Sequence, residues 1–258
     1  MNDPFKLTGK NAIVWGGGQG MGERSAIRLA EAGCDVTIVD VEQDRAERVC
    51  DEIRKLGRRA YPHIADITRE DQVIATVEAS DRELGPVDCM VTVVGMAFWA
   101  DLVDVTEDIW EKSFDVNLKS FFYTARAVAN SLRASGKPGS IVGVGSVSGL
   151  QSAQNHGPYG AAKAALVNLV RTMAVEWGPQ IRVNAIAPGA IKTPRLTWTE
   201  ESLEVFRNRV GLARPGETDE IGKAALFLVS DLSSYVTGHT LPVDGGWMAE
   251  YLLRRDKT

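Results

Sequence analysis

The sequence has few of the features that mark disulfide-rich, membrane or nucleic-acid-binding proteins. Its three cysteines, Cys34, Cys50 and Cys89, are isolated, so neither a disulfide framework nor a metal-ligand spacing is expected. No apolar run approaches the length of a membrane span, and the first residues lack the pattern of a secretory signal. The formal net charge is −5 with no block of basic residues, which disfavours nucleic acid as a partner. We therefore expect a cytoplasmic protein without a metal site.

What the sequence does contain is an alternation of short apolar runs and longer amphipathic ones. The runs predict strands at Asn11–Trp15, Asp35–Val39, Ala60–Ile64, Val87–Val94, Ser140–Val144, Ile181–Ala187 and Thr240–Val243. Helices are predicted between them at 20–32, 42–56, 69–84, 106–133, 158–177 and 217–230. The strands are apolar throughout, which is typical of a sheet covered on both faces. The chain (1–258) is therefore predicted to be one α/β domain, a doubly wound parallel sheet of about seven strands.

The first strand is followed by a glycine-rich loop, Gly16-Gly-Gly-Gln-Gly20-Met-Gly22, that opens directly into a helix. In this arrangement Gly16 permits a tight turn, Gly20 lets the backbone approach a pyrophosphate, and Gly22 allows close packing of helix and strand. The free N–H groups and the dipole at the helix start favour phosphate. The loop therefore indicates a dinucleotide site; the alternative is a turn that only joins strand to helix.

An acidic residue, Asp40, ends the second strand. A carboxylate at this place can accept hydrogen bonds from the adenosine ribose hydroxyls and repels a 2′-phosphate. Val41 and Gln19 are uncharged, and no basic group is evident to neutralise that phosphate. NAD is therefore predicted rather than NADP. The alternative role for Asp40 is to cap the following helix, and both roles are compatible.

Tyr159 and Lys163 are four positions apart in a predicted helix and therefore lie on one face of it. An ammonium beside a phenol is expected to lower the pKa of Tyr159 toward the working range of an acid or base. Ser146, upstream at a strand end, can hold a carbonyl oxygen. A tyrosine and a lysine four positions apart occur often by chance, so the other motifs decide whether this pair marks a functional site. Lys163 can alternatively be a solvated lysine, and Ser146 can be one of several loop hydroxyls, since Ser148 and Ser152 lie nearby. The apolar neighbours of Lys163 and the position of Ser146 relative to Tyr159 favour the catalytic roles.

With these motifs in register, the chain resembles the short-chain dehydrogenase/reductase family over nearly its whole length. The resemblance also rests on Asp66-Ile67, Phe114–Leu118, Arg182–Gly189 with Thr193, and Val236–Gly246. It implies a Rossmann fold and an NAD-dependent oxidoreductase that interconverts a secondary alcohol and a ketone. Tyr159 is then the general acid/base, Ser146 holds the substrate oxygen, Lys163 binds the nicotinamide ribose, and Asn117 opens its helix and orders a relay water. Asn117 is alternatively a tolerated polar residue in a helix, and Asp66 a turn residue.

The cofactor residues that the resemblance implies come from several segments. They are Gly16, Gln19, Gly20, Met21, Gly22, Asp40, Asp66, Ile67, Gly95, Tyr159, Lys163, Pro188, Gly189, Ile191 and Thr193. The chain departs from the family at two places: Trp15 stands where Thr is usual, and Thr92-Val93-Val94-Gly95 stands for Asn-Asn-Ala-Gly. We expect Trp15 to pack against Val93 or Val94 in place of the polar tie between the strands.

The substrate is less well defined by the sequence. The segment 193–213 is expected to cover the site, because long loops over a scaffold often set specificity. Ser148, His156, Trp99 and Trp198 are the candidate substrate residues, and the aromatic ones suggest a bulky apolar or cyclic alcohol or ketone. Any of them can instead serve packing, and His156 can be a surface residue.

The predicted helix 158–177 is apolar over most of its circumference, and the helix beginning near Leu118 is similar. Extra apolar surface implies a second burial partner, so a homo-oligomer is expected, and the resemblance implies a tetramer. Two alternative functions remain open. They are an NADP-linked 3-oxoacyl-type reductase and a non-catalytic NAD-binding sensor or scaffold on the same fold.

Overall fold

The computed structural model describes residues 3–249. The strands are β1 Asn11–Trp15, β2 Asp35–Asp40, β3 Ala60–Ile64, β4 Cys89–Thr92, β5 Gly139–Val144, β6 Ile181–Pro188, β7 Ile191–Lys192, β8 Gly216–Glu217 and β9 Thr240–Val243. Seven of them form one parallel sheet in the order β3-β2-β1-β4-β5-β6-β9, and β7 pairs with β8. The two edge strands each contain a proline, Pro62 and Pro242, which an edge tolerates. The predicted doubly wound sheet is confirmed.

Helices cover both faces of this sheet. They are α1 Gly20–Glu31, α2 Gln43–Lys55, α3 Glu70–Leu84, α4 Glu107–Phe114, α5 Ser120–Ser135, α6 Gly157–Trp177, α7 Glu200–Arg209 and α8 Thr218–Val229. Along β1, alternate side chains enter opposite layers: Val14 packs with α1, α2 and α8, whereas Ile13 and Trp15 pack with α3, α5 and α6. In the described part of the chain, no helix has the length and apolar character needed to cross a membrane.

The sheet order reverses at β1, which lies between β2 and β4. In open parallel sheets the crevice at such a switch point, beyond the carboxyl ends of the strands, is the usual ligand site. The glycine loop after β1 and the segment after β4 both begin at this crevice. The fold therefore brings the predicted functional segments to one edge of the sheet.

The helix predicted over 106–133 is found as a contiguous helical run, 107–135, that contains one π-helical interruption. α4 ends at Phe114, a π-helical turn covers Asp115–Lys119, and α5 then continues to Ser135. The π turn contains Asn117, so the local opening that the resemblance implied is confirmed. A periodic apolar pattern cannot reveal this break, because it depends on hydrogen bonds between Asn117 and a distant loop.

Candidate active site

The glycine loop is built as a cradle that only glycine can form. Gly16 and Gly20 have φ values of 76° and 60°, in the left-handed region that favours glycine. The N–H groups of Gly16 and Gly17 donate to the Val39 carbonyl at 2.8 and 3.0 Å. A Cβ on Gly22 would collide with the Gly16 carbonyl oxygen. No side chain caps the start of α1, so its first N–H groups fit the pyrophosphate of a dinucleotide.

Asp40 joins this loop to the start of α2. One carboxylate oxygen accepts from the Gly18 N–H at 3.1 Å, and the other accepts from the Glu42 N–H at 3.1 Å. The side chain is 8% exposed, so the carboxylate is largely buried against the glycine loop. Glu42 is the N-cap residue of α2, so Asp40 supports the turn before this helix and does not cap it, which was the alternative considered from the sequence.

The expectation that no basic group lies near Asp40 is wrong. Arg45 of α2 places one guanidinium nitrogen 3.5 Å from an Asp40 oxygen. A second guanidinium nitrogen donates to the Gln19 oxygen at 2.9 Å when the Gln19 amide is assigned the orientation that satisfies its hydrogen bonds. Arg195, from the segment after β7, donates to the same Gln19 oxygen at 3.2 Å. Two cationic groups thus converge at the start of α1, and the Nε of Arg45 is buried without a partner. This arrangement also fits an anionic cofactor.

Asn117 ties the loop after β4 to the π turn. Its amide nitrogen donates to the carbonyls of Met96 at 2.8 Å and Ser113 at 2.9 Å, and its oxygen accepts from the Met96 N–H at 3.0 Å. A Cβ on Gly95 would lie 2.9 Å from this oxygen and 3.0 Å from the Nζ of Lys163. Gly95 therefore allows Asn117 and Lys163 to approach one another.

Lys163 is 2% exposed, so it is not a solvated helix lysine. Its Nζ donates to the Val144 carbonyl at 2.9 Å and lies 5.8 Å from the centre of the Tyr159 ring. Burial lowers the pKa of Lys163 to about 8. The amine is therefore still mostly protonated at neutral pH and loses its charge at a lower pH than an exposed lysine does.

The expectation that the pKa of Tyr159 is lowered is wrong. Burial raises the pKa of the phenol above its ordinary value, and the hydrogen bond with Ser146 opposes that rise only in part. The Oγ of Ser146 accepts from the Ser148 N–H at 3.1 Å, which leaves its own proton free to donate. Ser146, Tyr159 and Lys163 are thus brought together as predicted, and desolvation of the phenol outweighs the nearby amine.

The four candidate substrate residues fall into two groups. Ser148 and His156 are joined through Oγ and Nδ1 at 3.1 Å, and the His156 ring lies 4.1 Å from Trp99 and 5.3 Å from Tyr159, centre to centre. Trp198 belongs to another cluster. It packs on Phe206 of α7, which packs on Trp247, at 5.4 and 5.5 Å. Trp99, Ser148 and His156 therefore form a wall beside Tyr159, and Trp198 packs within the segment 193–213 through Phe206.

The remaining predicted cofactor residues border the same crevice or its approaches. Asp66 accepts from the N–H and hydroxyl of Thr68 at 2.9 and 2.7 Å, which is the turn role considered for it. A Cβ on Gly20 would lie 3.6 Å from Pro194 and 3.9 Å from Thr193, so the segment after β7 touches the glycine loop. The others lie as follows: Met21 in α1, Ile67 buried before α3, Pro188 at the end of β6, Gly189 against Asp244, and Ile191 in β7.

Comparison with known proteins gives matches along almost the whole chain. A family model described as enoyl-(acyl carrier protein) reductase matches residues 16–248. The 2-dehydro-3-deoxy-D-gluconate 5-dehydrogenase of Escherichia coli (strain K12) is 32% identical over 249 residues, covering 95% of this chain and 98% of that protein. The 7alpha-hydroxysteroid dehydrogenase of the same organism is 36% identical over 252 residues, with coverage of 96% and 98%. A solved 7alpha-hydroxysteroid dehydrogenase, complexed with NADH and 7-oxo glycochenodeoxycholic acid, has a TM-score of 0.90, 36% identity and coverage of 95% and 97%.

Proposed function

The chain belongs to the short-chain dehydrogenase/reductase family, and on that premise we propose that it is an NAD-dependent oxidoreductase interconverting a secondary alcohol and a ketone. One observation carries the proposal: Tyr159 is hydrogen-bonded to Ser146, and its ring centre lies 5.8 Å from the Nζ of the buried Lys163. A protein that only binds a dinucleotide needs no such acid–base pair, so the arrangement argues against a sensor or scaffold.

In this proposal Tyr159 exchanges a proton with the substrate oxygen, and Ser146 donates a hydrogen bond to that oxygen as negative charge develops on it. A bound nicotinamide cofactor supplies the chemistry of hydride acceptance or donation. Burial keeps the phenol protonated, which suits proton donation to a ketone. For the reverse reaction the charge on Lys163 favours the phenolate. Asn117, fixed by three hydrogen bonds, holds the loop after β4 against this group.

NAD is favoured by the carboxylate of Asp40, which stands at the predicted ribose position and repels a 2′-phosphate. The related 7alpha-hydroxysteroid dehydrogenase structure contains NADH, which supports the same choice. NADP-linked use of the same catalytic groups is a second candidate, because Arg45 lies against Asp40 and can offset its charge.

A bulky apolar or cyclic substrate is favoured by the aromatic wall beside Tyr159 and by the covering segment that contains Trp198. Trp99 is 67% exposed on the loop after β4, so it offers an apolar surface at the mouth of the site. The steroid held by the related solved structure is a ligand of this kind.

The test is a panel of cyclic, aromatic, steroid and acyl secondary alcohols and ketones, with NAD and NADP in parallel, followed by the absorbance of the reduced cofactor. Turnover of secondary alcohols with NAD is expected. Tyr159→Phe should lower kcat by at least about a thousandfold and change the Kd for NAD little, because proton transfer is lost and the binding surface is kept. Retained turnover in that variant, or NAD binding without turnover of any compound by the natural protein, contradicts the proposal.

A further inference from the structure

The Ser148–His156 pair is fixed to both catalytic segments. The Ser148 N–H donates to the Oγ of Ser146 at 3.1 Å, and the Ser148 hydroxyl is hydrogen-bonded to the Nδ1 of His156 at 3.1 Å. His156 immediately precedes α6, and its ring lies 5.3 Å from that of Tyr159, centre to centre. The imidazole therefore has a defined position beside the reacting groups.

The other ring nitrogen of His156 has no use in the mechanism proposed above. Its Nε2 is buried and has no hydrogen-bond partner, while Trp99 lies on the ring at 4.1 Å. A buried polar group without a partner costs free energy, and that cost is removed when a ligand supplies the partner. Trp99 is 67% exposed, in the segment 93–101 that contains no helix or strand. The side chain that packs on the imidazole is therefore largely exposed to solvent and belongs to a loop.

The chemistry of the pair selects the kind of partner. Burial lowers the pKa of His156, so the imidazole is neutral near neutral pH, with one nitrogen as donor and the other as acceptor. The Ser148 hydroxyl can donate to Nδ1 or accept from it, and Nε2 is accordingly a donor or an acceptor. A hydroxyl satisfies either tautomer. A carboxylate or phosphate accepts only, and a neutral pair offers it no opposite charge.

We propose that Ser148 and His156 form a subsite for a second hydroxyl of the substrate, next to the carbon that is oxidised, and that Trp99 moves aside to admit it. The substrate class is then a diol or hydroxyketone, preferably cyclic. This inference rests on the proposed alcohol–ketone function and narrows it.

The test compares cyclohexanol with a vicinal cyclohexane diol, with NAD as cofactor. The natural protein should prefer the diol about tenfold in kcat/KM, the upper value of one neutral hydrogen bond. His156→Phe keeps a ring for Trp99 to contact and removes both nitrogens, and it should abolish the preference. Ser148→Ala, which leaves the imidazole without its partner, should reduce the preference to an intermediate value.

The ratio between the two substrates is the informative readout, because a merely structural role lowers both efficiencies in parallel. An unchanged ratio in both variants contradicts the inference, as does equal use of the two compounds by the natural protein. Calorimetric titration of the NAD complex with each compound gives a second readout. If no alcohol is turned over, the proposed function fails, and the titration still tests the subsite: absence of diol binding, or equal diol affinity in the natural protein and His156→Phe, overturns it.

Discussion

At the scale of single residues, Lys163 shows that burial disfavours the charged form of the amine, which is the form that the proposed chemistry uses. The amine is enclosed on α6 with the Val144 carbonyl as its hydrogen-bond acceptor, and its pKa is lowered from 10.5 to about 8. The folded protein thus holds the charged form at a cost that the unfolded chain does not have. Above pH 8 the folded protein releases this proton and the unfolded chain keeps it up to its own pKa, so folding stability gains as the pH rises.

This difference predicts a pH dependence of the free energy of unfolding in the cofactor-free protein. Lys163 should contribute a gain of about 3 kcal/mol as the pH rises from about 8 to 10.5, since a tenfold change in proton affinity corresponds to about 1.4 kcal/mol. Lys163→Met should lack that gain, and Lys55→Met, at an exposed position, should keep it. Urea unfolding at several pH values measures it. Parallel curves for Lys163→Met and the natural protein would show that the amine is not desolvated.

We propose that the charges of two single residues, Asp40 and Arg45, set the preference between NAD and NADP. Asp40→Asn removes the charge that repels a 2′-phosphate and leaves Arg45 to attract it, so the Kd for NADP should fall at least about tenfold relative to that for NAD. One of the two N–H groups now bound by the carboxylate loses its acceptor, which should cost about 1 kcal/mol of stability.

Fluorescence titration with both reduced cofactors measures the two Kd values for Asp40→Asn. The double variant Asp40→Asn with Arg45→Met is the control and should lose the gain for NADP. A gain that persists without Arg45 would assign the selectivity to other residues. Arg45 itself was not predicted, because its approach to Asp40 depends on how α2 begins and not on a sequence motif.

At the scale of elements, Trp15 and the segment after β4 replace the polar tie that the family resemblance led us to expect. Trp15 is fully buried in the layer of α3, α5 and α6, and Val94 packs against that layer. Val93 packs against the opposite layer, and its N–H donates to the Trp15 carbonyl at 3.0 Å. The parallel pairing of β1 and β4, which runs from Ala12 and Cys89 to Trp15 and Thr92, is thus extended by the Val93 hydrogen bond, and Trp15 and Val94 share one apolar layer. The indole N–H of Trp15 has no partner.

Trp15→Thr should therefore destabilise the protein by about 3–5 kcal/mol, as expected when a large buried aromatic side chain is removed. Trp15→Phe is the matched control: it keeps a ring, deletes the unpartnered N–H and should cost about 1–2 kcal/mol. Chemical denaturation of the two variants gives the comparison. Equal stability of Trp15→Thr and the natural protein would mean that the β1–β4 contact does not depend on the indole.

The elements also show where sequence reasoning succeeded and failed. The bounds of β1, β3 and β9 were predicted as found. For β1 the reason is its fully buried run, whereas β3 is an edge strand that is only half-buried. The helix α7 was not predicted as a defined element within 193–213. Its apolar face is short, with Leu203 and Phe206 only half-buried, and the helix is anchored through Phe206 between Trp198 and Trp247. Local patterns predict elements that bury a face, and they miss elements held by distant contacts.

At the scale of the whole molecule, α6 connects the catalytic site to the outer surface. Lys163 faces inward, while Ala161, Ala164 and Val175 are exposed on the other side of the helix. Polar residues, among them Asn168, share that exposed face, so it is less uniformly apolar than the sequence suggested. Small and apolar side chains on a long helix still permit the close approach of a second helix, and a homo-oligomer formed through α6 remains our prediction.

Assembly through α6 should then be coupled to catalysis, because the same helix carries Tyr159 and Lys163. Ala164→Glu puts a charge on the outward face and should reduce the molar mass measured by light scattering, with a weaker affinity for NAD in the dissociated form. Ala75→Glu makes the same change at an exposed position of α3 and should leave mass and affinity as they are. A natural protein that is monomeric at micromolar concentration, or an Ala164→Glu variant of unchanged mass, would contradict the prediction that the protein assembles through α6. A loss of mass without loss of NAD affinity would instead show that the inward face keeps its geometry without a partner.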